Sequence, residues 1–257
     1  MRIVLNIKKT VEENAQDYFE KAKKARKKVK GAKKALIKSL EKLKKEEQKE
    51  YDLSGPSVKK IRKKDWFEKF RWFISSDGFL VIGGRDAMTN EILIKKHTED
   101  KDLVFHTDMA GSPFAVIKSE GKKIPKKTIE ESGVFVATFS RAWKRGLTTT
   151  EVYFVKPAQV TKEAKAGEFI SRGSFMIYGD REYLNPVLDV SVGIFKDRVI
   201  AGPSNAIKKH CKKHVKVILG DKKPSDVAKI IKKQIGGDLD EIIRALPAGT
   251  CDVKFDS

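Results

Sequence analysis

The chain has 257 residues, and its 55 Lys and Arg outnumber its 35 Asp and Glu, which gives a formal net charge of +20. With 35% charged and 40% hydrophobic residues, it is too polar for a membrane protein and too apolar for a wholly disordered chain. Cys211 and Cys251 are too few for a disulfide framework, and the first residues lack the apolar core of a secretory signal, so we expect a cytoplasmic protein. The positive charge favours an anionic partner, most simply a nucleic acid, and nothing indicates a membrane.

Residues 1–64 form a basic segment, with 22 Lys and Arg against 9 Asp and Glu, that we predict to be a helical coiled coil. Apolar residues recur at alternating four- and three-residue spacing from Val11 to Leu43, which is typical of a heptad seam. Thr10 and Glu13 form a capping box that would begin the helix. Because the seam is rich in Ala, it buries little surface and needs a partner helix for stability.

The partner helix of this segment is left open by the sequence. It could come from the same chain, folded back near Gly31 or at Ser54-Gly55-Pro56, or from another molecule, including a second copy in a homodimer. The function is open as well: the lysines could only keep the rod in solution, could lie along phosphate, or could belong to a docking surface for a protein partner.

Short β-like runs separated by turn signals predict a mainly antiparallel domain over residues 65–184. The candidate strands are Arg71–Ile74, Phe79–Ile82, Leu103–His106, Phe114–Lys118, Glu151–Val155 and Phe175–Tyr178. The first two are joined by a hairpin turn in which Gly78 suits a positive φ. One helix interrupts the strands: Thr128 and Glu131 form a second capping box, and Gly146 is expected to end this helix.

Residues 185–257 are expected to form a small α/β extension, either as an appended subdomain or as a continuation of the same sheet. Its predicted strands are Leu188–Phe195, Val199–Ala201 and Val215–Leu219, and its predicted helices are Ser204–Lys213, Ser225–Ile235 and Leu239–Ala245. The fold class is therefore α+β: a mainly antiparallel, β-rich domain with one central helix and a small α/β extension, preceded by a long helical segment.

The first candidate site follows the second predicted strand, at Gly83-Gly84-Arg85-Asp86. It matches neither a dinucleotide fingerprint nor a Walker A loop. Two glycines could let backbone amides approach a phosphate that Arg85 binds in bidentate fashion, with Asp86 beside it, and Asn90, Lys95 and Lys96 would continue this surface. The alternative is a tight turn in which Arg85 and Asp86 pair for structural reasons.

The second candidate site is His106, at the end of a predicted strand. A hydrolase would need a positioned nucleophile, a base and an oxyanion hole, and Ser112 lacks the context of a nucleophile elbow. No other constellation of residues supports catalysis, so we expect that the protein is not an enzyme. His106 is therefore predicted either to be structural or to contact an RNA backbone.

Two clusters of basic residues complete the candidate RNA-binding set. At the end of the central helix, Arg141, Lys144 and Arg145 could hold phosphates while Trp143 stacks on an unpaired base, unless Trp143 belongs to the core. The helix over residues 204–213 is expected to present Lys208, Lys209 and Lys212 as a second patch that either contacts RNA or faces solvent. His210 and His214 lack the further ligands that zinc needs, so we expect neither a metal nor another cofactor.

Four strings in this chain resemble a known family. They are WFEKFRWFISSDGFLVIGGRDAMTNE (Trp66–Glu91), DLVFHTDMAGSP (Asp102–Pro113), FSRAWKRG (Phe139–Gly146) and GEFISRGSFMIYG (Gly167–Gly179). They are similar to the NFACT-R RNA-binding module of the nuclear export mediator factor family and its bacterial, fibronectin-binding protein A-like relatives. The segment over residues 1–64 resembles the coiled coil that precedes this module, and the residues after 185 look like the archaeal branch.

The resemblance implies a role in ribosome-associated quality control. Family members bind stalled large ribosomal subunits that carry peptidyl-tRNA, and in several lineages they recruit tRNA to extend the stalled peptide. The family's N-terminal domain is absent here, so the chain looks like a fragment or a split gene and is expected to bind tRNA or ribosomal RNA without supporting elongation. The alternative is a scaffold whose coiled coil recruits a ubiquitin ligase or another subunit.

Overall fold

The structure is a computed structural model, and it describes residues 4–53, 65–163 and 170–255. Within residues 42–53 it describes the helical backbone but not the side chains, so Leu43 of the predicted seam and the proposed turn at Ser54-Gly55-Pro56 lie outside the described residues. The chain divides into two compact units, Met1–Lys63 and Lys64–Ser257. Among the described helices, none combines the length and the apolar character that crossing a bilayer requires.

The first unit contains one long helix, α1 (Val11–Leu53). Its predicted capping box is confirmed, because the Thr10 amide donates to the Glu13 carboxylate at 2.8 Å and the Glu13 amide donates to the Thr10 hydroxyl at 3.2 Å. The helix runs through Gly31 without a break, so the alternative of a reversal near Gly31 is wrong.

The second unit is built on antiparallel sheets, which confirms the α+β class. Its helices are α2 (Ala87–Lys96), α3 (Lys126–Phe139), α4 (Arg141–Lys144), α5 (Ser204–His210), α6 (Pro224–Ile235) and α7 (Leu239–Ala245). Its strands are β1 (Arg71–Ile74), β2 (Leu80–Gly83), β3 (Leu103–His106), β4 (Ala115–Ile117), β5 (Val152–Val155), β6 (Val160–Thr161), β7 (Met176–Ile177), β8 (Glu182–Leu184), β9 (Val190–Phe195), β10 (Arg198–Gly202), β11 (His214–Lys222) and β12 (Cys251–Lys254).

The strands form a six-stranded sheet in the order β1-β2-β4-β3-β5-β8, a four-stranded sheet in the order β10-β9-β11-β12, and the pair β6-β7. The hairpin β1-β2 has the predicted turn, with Gly78 at a φ of 89°. The residues after 185 therefore have a sheet of their own. Its apolar side chains, including Val192 and Ile200, share one core with Phe73 of β1 and Phe135 of α3 in the same unit.

The central helix differs from its prediction at both ends. Its first residue is Lys126 rather than a residue after Thr128, and Thr128 is buried inside it, where its hydroxyl donates to Asp77 at 2.9 Å. The helix also breaks at Ser140, whose hydroxyl accepts from the Ala142 amide and begins α4. The predicted capping box at Thr128 is wrong, because tertiary hydrogen bonds to the β1-β2 turn use its hydroxyl instead.

Helix α2 was not predicted. Asp86 is its N-cap, accepting from the Thr89 amide at 2.8 Å, and the helix buries only Asn90 and Leu93. A helix that buries two residues leaves little apolar periodicity in the sequence. Its placement matters because its first turn forms one wall of the site described next.

Candidate nucleic-acid interface

A cavity of about 530 Å³ opens where the start of α2, the loop after β3, the junction of α3 and α4, and the segment before β7 meet. It brings together six residues that the sequence analysis nominated separately: Arg85, Asp86, Asn90, His106, Arg141 and Lys144. It adds two cations that the sequence analysis did not nominate, Arg71 and Arg172.

The cavity wall is strongly positive. Five cations line it, namely Arg71, Arg85, Arg141, Lys144 and Arg172, against the single carboxylate of Asp86. The Thr89 amide donates to Asp86, and this hydrogen bond lowers the pKa of the carboxyl group, so Asp86 is ionised and engaged as the cap of α2. The net excess of positive charge among these lining residues suits an anion.

Two of these cations are fixed by the protein itself. Arg71 donates to the carbonyls of Arg244 at 3.0 Å and Leu246 at 3.2 Å, and its guanidinium lies 4.4 Å from the centre of the Phe139 ring. Burial and the neighbouring Arg85 lower the pKa of Arg71 to about 9, which leaves it charged at neutral pH. Arg85 donates to the carbonyls of Arg244 at 2.7 Å and Phe70 at 3.0 Å. Because both guanidinium groups already donate to backbone carbonyls, Arg71 and Arg85 add positive charge to the cavity but have fewer N–H groups left to bind a ligand.

The other three cations are free to bind a ligand. Arg141, Lys144 and Arg172 are exposed, and none forms a side-chain hydrogen bond or ion pair with a described residue. Arg141 lies against the backbone of Gly111, where φ is +80° and an added Cβ would approach Nε to 2.6 Å. Only glycine suits this position, so the loop after β3 is shaped to let the guanidinium lie across it.

The glycines that precede Arg85 have a different role from the predicted one. A Cβ on Gly84 would lie 1.9 Å from Oδ1 of Asn90, and a Cβ on Gly83 would lie 2.6 Å from the Phe135 ring. Both glycines therefore allow close packing inside the protein. Asn90 is 8% exposed, and its Oδ1 accepts from the Phe114 amide at 3.1 Å, which ties α2 to the segment before β4.

His106 lies in the cavity wall in a defined protonation state. Its Nδ1 is 3.0 Å from the Pro113 carbonyl oxygen, and its ring stacks on Phe114 with 3.9 Å between centroids. A carbonyl can only accept, so Nδ1 carries the proton. Burial lowers the pKa of His106, which keeps the ring neutral at pH 7 and leaves Nε2 as an acceptor.

Trp143 does not belong to the interface, which corrects the sequence analysis. It is 3% exposed within the core, and its Nε1 donates to the Thr250 carbonyl at 3.1 Å. A ring in this position cannot stack on an RNA base. Its neighbour Arg145 is exposed at the end of α4 but does not line the cavity.

The remaining nominated lysines lie away from the cavity. In the last turn of α2, Lys95 pairs with Glu91 at 2.8 Å and Lys96 is exposed. Helix α5 ends at His210, so the predicted basic face that extends along this helix to Lys212 is wrong.

The second basic patch is divided between different environments. Lys209 donates to the Ser76 carbonyl at 2.6 Å and thereby links α5 to the β1-β2 turn, while Lys208 is exposed on the same helix. Lys212 follows α5 and lines a second, open cavity of about 640 Å³ together with Lys196 and Lys213. Whether these lysines contact RNA stays a prediction.

Arg172 reaches the cavity through a loop that docks on α2. Gly173 has a φ of +77°, and its amide donates to the Glu91 carboxylate at 2.9 Å, so the loop crosses the helix closely. The sequence did contain a signal for Arg172, because this residue lies inside Gly167–Gly179, one of the four strings that carry the family resemblance. The sequence alone did not show that this string contacts α2, where Gly173 bonds to Glu91, 82 positions earlier.

Comparison with known proteins shows which proteins this region is similar to. Residues 69–179 match the family model described as the NFACT protein RNA binding domain. The chain is 42% identical over 204 residues to the archaeal Rqc2 homolog aRqcH of Methanocaldococcus jannaschii, covering 76% of this chain and 30% of that protein. It is 42% identical over 178 residues to the human ribosome quality control complex subunit NEMF, covering 67% of this chain and 16% of that protein.

A more distant relative extends the same group. The Saccharomyces cerevisiae ribosome quality control complex subunit 2 is 26% identical over 179 residues, covering 67% of this chain and 17% of that protein. The chain thus spans less than a third of the length of each of these relatives. The matched residues include every member of the cavity wall except Ala248. Residues 69–179 are thus an NFACT-type RNA-binding domain, and the chain around them is similar to ribosome quality control factors, an archaeal Rqc2 homolog among them.

Proposed function

We propose that this chain binds the ribose-phosphate backbone of tRNA or of ribosomal RNA in the large subunit, and that it does so through the cationic cavity. The observation that carries the proposal is the position of Arg141, Lys144 and Arg172: three exposed cations, unpaired among the described residues, line one cavity. Backbone phosphates supply most of the binding free energy when a protein lacks base-specific contacts.

The relatives suggest where this RNA is met. The human and yeast relatives are named as ribosome quality control complex subunits, and we propose that this chain acts in the same process, on stalled large subunits that carry peptidyl-tRNA. The proposed role is non-catalytic: the chain holds RNA while other parts of the machinery act. Phosphate contacts position a protein without reading sequence, so we expect weak sequence preference.

The test is binding of the full chain to purified tRNA and to large ribosomal subunits, with Arg141→Glu/Lys144→Glu/Arg172→Glu as the altered protein. A matched control reverses three exposed lysines outside the cavity, Lys127, Lys232 and Lys233, so that the net charge changes equally. We expect the first variant to lose binding and the second to keep most of it. Equal losses in both variants would refute a role for the cavity and leave only general attraction.

A second function is favoured by the surface of α1. Its apolar residues remain open to solvent within the described structure, including Phe19 at 66% and Leu36 at 61% exposure. Such residues on one helix favour a partner helix, from a protein subunit or from a second copy of the chain. Removing residues 1–64 separates the two functions: if RNA binding survives in 65–257 and a protein contact is lost, each unit has its own role.

A further inference from the structure

We infer that the cavity accepts one unpaired ribonucleotide and that Nε2 of His106 accepts a hydrogen bond from its ribose 2′-hydroxyl, so that this residue distinguishes RNA from DNA. The inference rests on the proposed function and adds a specificity-determining residue to it. Phosphate-binding cations alone would hold both nucleic acids.

The size of the cavity supports a single nucleotide. A volume of about 530 Å³ lies within the range of small-ligand pockets, whereas a duplex would have to lie across the opening. The cavity is enclosed on different sides by α2, by the loop at Gly111 and by the segment at Gly173. An unpaired nucleotide turned out of its strand can enter such a space.

The chemistry of the wall supports a hydroxyl donor. The five cations can only donate hydrogen bonds, and the other polar side chains of the wall are engaged within the protein. Asn90 Oδ1 accepts from the Phe114 amide, the Ser140 hydroxyl donates to the Ala137 carbonyl, and the Ser174 hydroxyl bonds with that of Ser171. Asp86 caps α2, and Ser112 bonds with Thr107 and donates to the Met109 carbonyl at 2.8 Å. Nε2 of His106 is thus an acceptor that no described residue uses, beside cations that would hold the adjoining phosphate.

The orientation of the ring is fixed by contacts on two sides. The Pro113 carbonyl takes the Nδ1 proton, and Phe114 stacks on one ring face at an interplanar angle of 2°. Burial and the nearby charge of Arg181 disfavour a second proton on the ring, while the hydrogen bond to Pro113 and the charge of Asp108 favour one. A preorganised neutral acceptor next to a phosphate site is suited to the one sugar group that DNA lacks.

Two substitutions separate the two ring nitrogens. His106→Asn keeps a donor near the position of Nδ1 and removes the acceptor, whereas His106→Gln keeps an acceptor near the position of Nε2. Each full-length protein is titrated by fluorescence anisotropy with a 12-nucleotide uridine strand, with its deoxyuridine counterpart, and with a 2′-fluoro strand that lacks the hydroxyl. Thermal melting of each variant reports whether it is folded.

For the unaltered protein we expect the uridine strand to bind about five-fold more tightly than either analogue, the worth of one net hydrogen bond. His106→Asn should bring this ratio close to one without changing the affinity for deoxyuridine, and His106→Gln should retain a preference for uridine. Equal affinities of the unaltered protein for the three strands, or an unchanged ratio in His106→Asn, would overturn the inference. The proposed function would still stand if RNA binding depended on Arg141, Lys144 and Arg172. Binding that is indifferent to those three cations would overturn both.

Discussion

Replacing Arg141, Lys144 and Arg172 together by alanine should change the salt dependence of RNA binding by a calculable amount. These three side chains are exposed cavity cations without a partner among the described residues. Each phosphate that a protein neutralises on a single strand contributes about 0.7 to the slope of log affinity against log salt, so three contacts contribute about 2. Between 50 and 200 mM salt, a slope of about 2 corresponds to a change in affinity of about 20-fold.

The assay is anisotropy of a labelled single-stranded RNA, measured with the full chain over that salt range. The triple variant should bind more weakly at low salt, and its affinity should fall about 20-fold less than that of the unaltered protein as the salt rises. The matched control is Lys127→Ala/Lys232→Ala/Lys233→Ala, which removes the same charge from surfaces outside the cavity. A slope unchanged by the cavity variant, or lowered equally by the control, would refute the assignment of phosphate contacts to these residues.

Further predictions concern the scaffold of the cavity and the buried ion pair between Lys118 and Asp102. Gly111→Ala should weaken RNA binding several-fold with no change of charge, because its Cβ would lie 2.6 Å from Nε of Arg141 at a φ of +80°; anisotropy and thermal melting together check this. Glu91→Gln should speed amide exchange at Gly173, since the carboxylate accepts from that amide and from Lys95 and Lys162; unchanged exchange would contradict this role. These hydrogen bonds lower the pKa of Glu91 to about 2. The stabilisation that Glu91 contributes is therefore present above its unfolded pKa of 4.5 and is lost as the pH falls from 4.5 toward 2. Amide exchange at Gly173, measured at decreasing pH, should show this loss. Lys118→Met should destabilise the domain by about 3–5 kcal/mol in urea unfolding. The substitution leaves the buried Asp102 carboxylate, which lies 2.5 Å from the Lys118 ammonium, without its counter-charge. Lys118→Met/Asp102→Leu should recover much of the lost stability.

Local patterns in the sequence were sufficient for several elements. The Thr10 capping box and the β1-β2 hairpin with its positive φ at Gly78 depend on residues within a few positions of one another, and both formed as predicted. The strand β3 and the helix α7 also have the predicted bounds. Each of these depends on a short-range signal, either a turn residue, a cap or an alternating pattern.

The errors arose where distant residues decide the environment. Trp143 in a run of basic residues has the same local sequence whether it faces solvent or the core, and its Nε1 is satisfied by Thr250, 107 positions away. Thr128 resembled a helix cap, yet its hydroxyl bonds to the turn at Ser75 and Asp77. Tertiary contacts of this kind override local preference and leave no trace in the nearby sequence.

The candidate site shows the same division. The sequence could nominate candidate RNA-binding residues, and six of these do meet in one cavity. It could not show which cations remain free, because Arg85 looks like Arg141 until its bonds to the carbonyls of Arg244 and Phe70 are seen. Nor could it bring Arg172 to the start of α2, since that meeting depends on a loop returning across the helix.

The most direct test of RNA binding in the cavity is photo-crosslinking. The full chain is bound to RNA that contains 4-thiouridine and irradiated, and the modified peptides are identified by mass spectrometry. We predict adducts within residues 106–114, 141–145 and 170–175. Adducts confined to residues 1–64 or to the segment around Lys212 would contradict a cavity that holds the RNA.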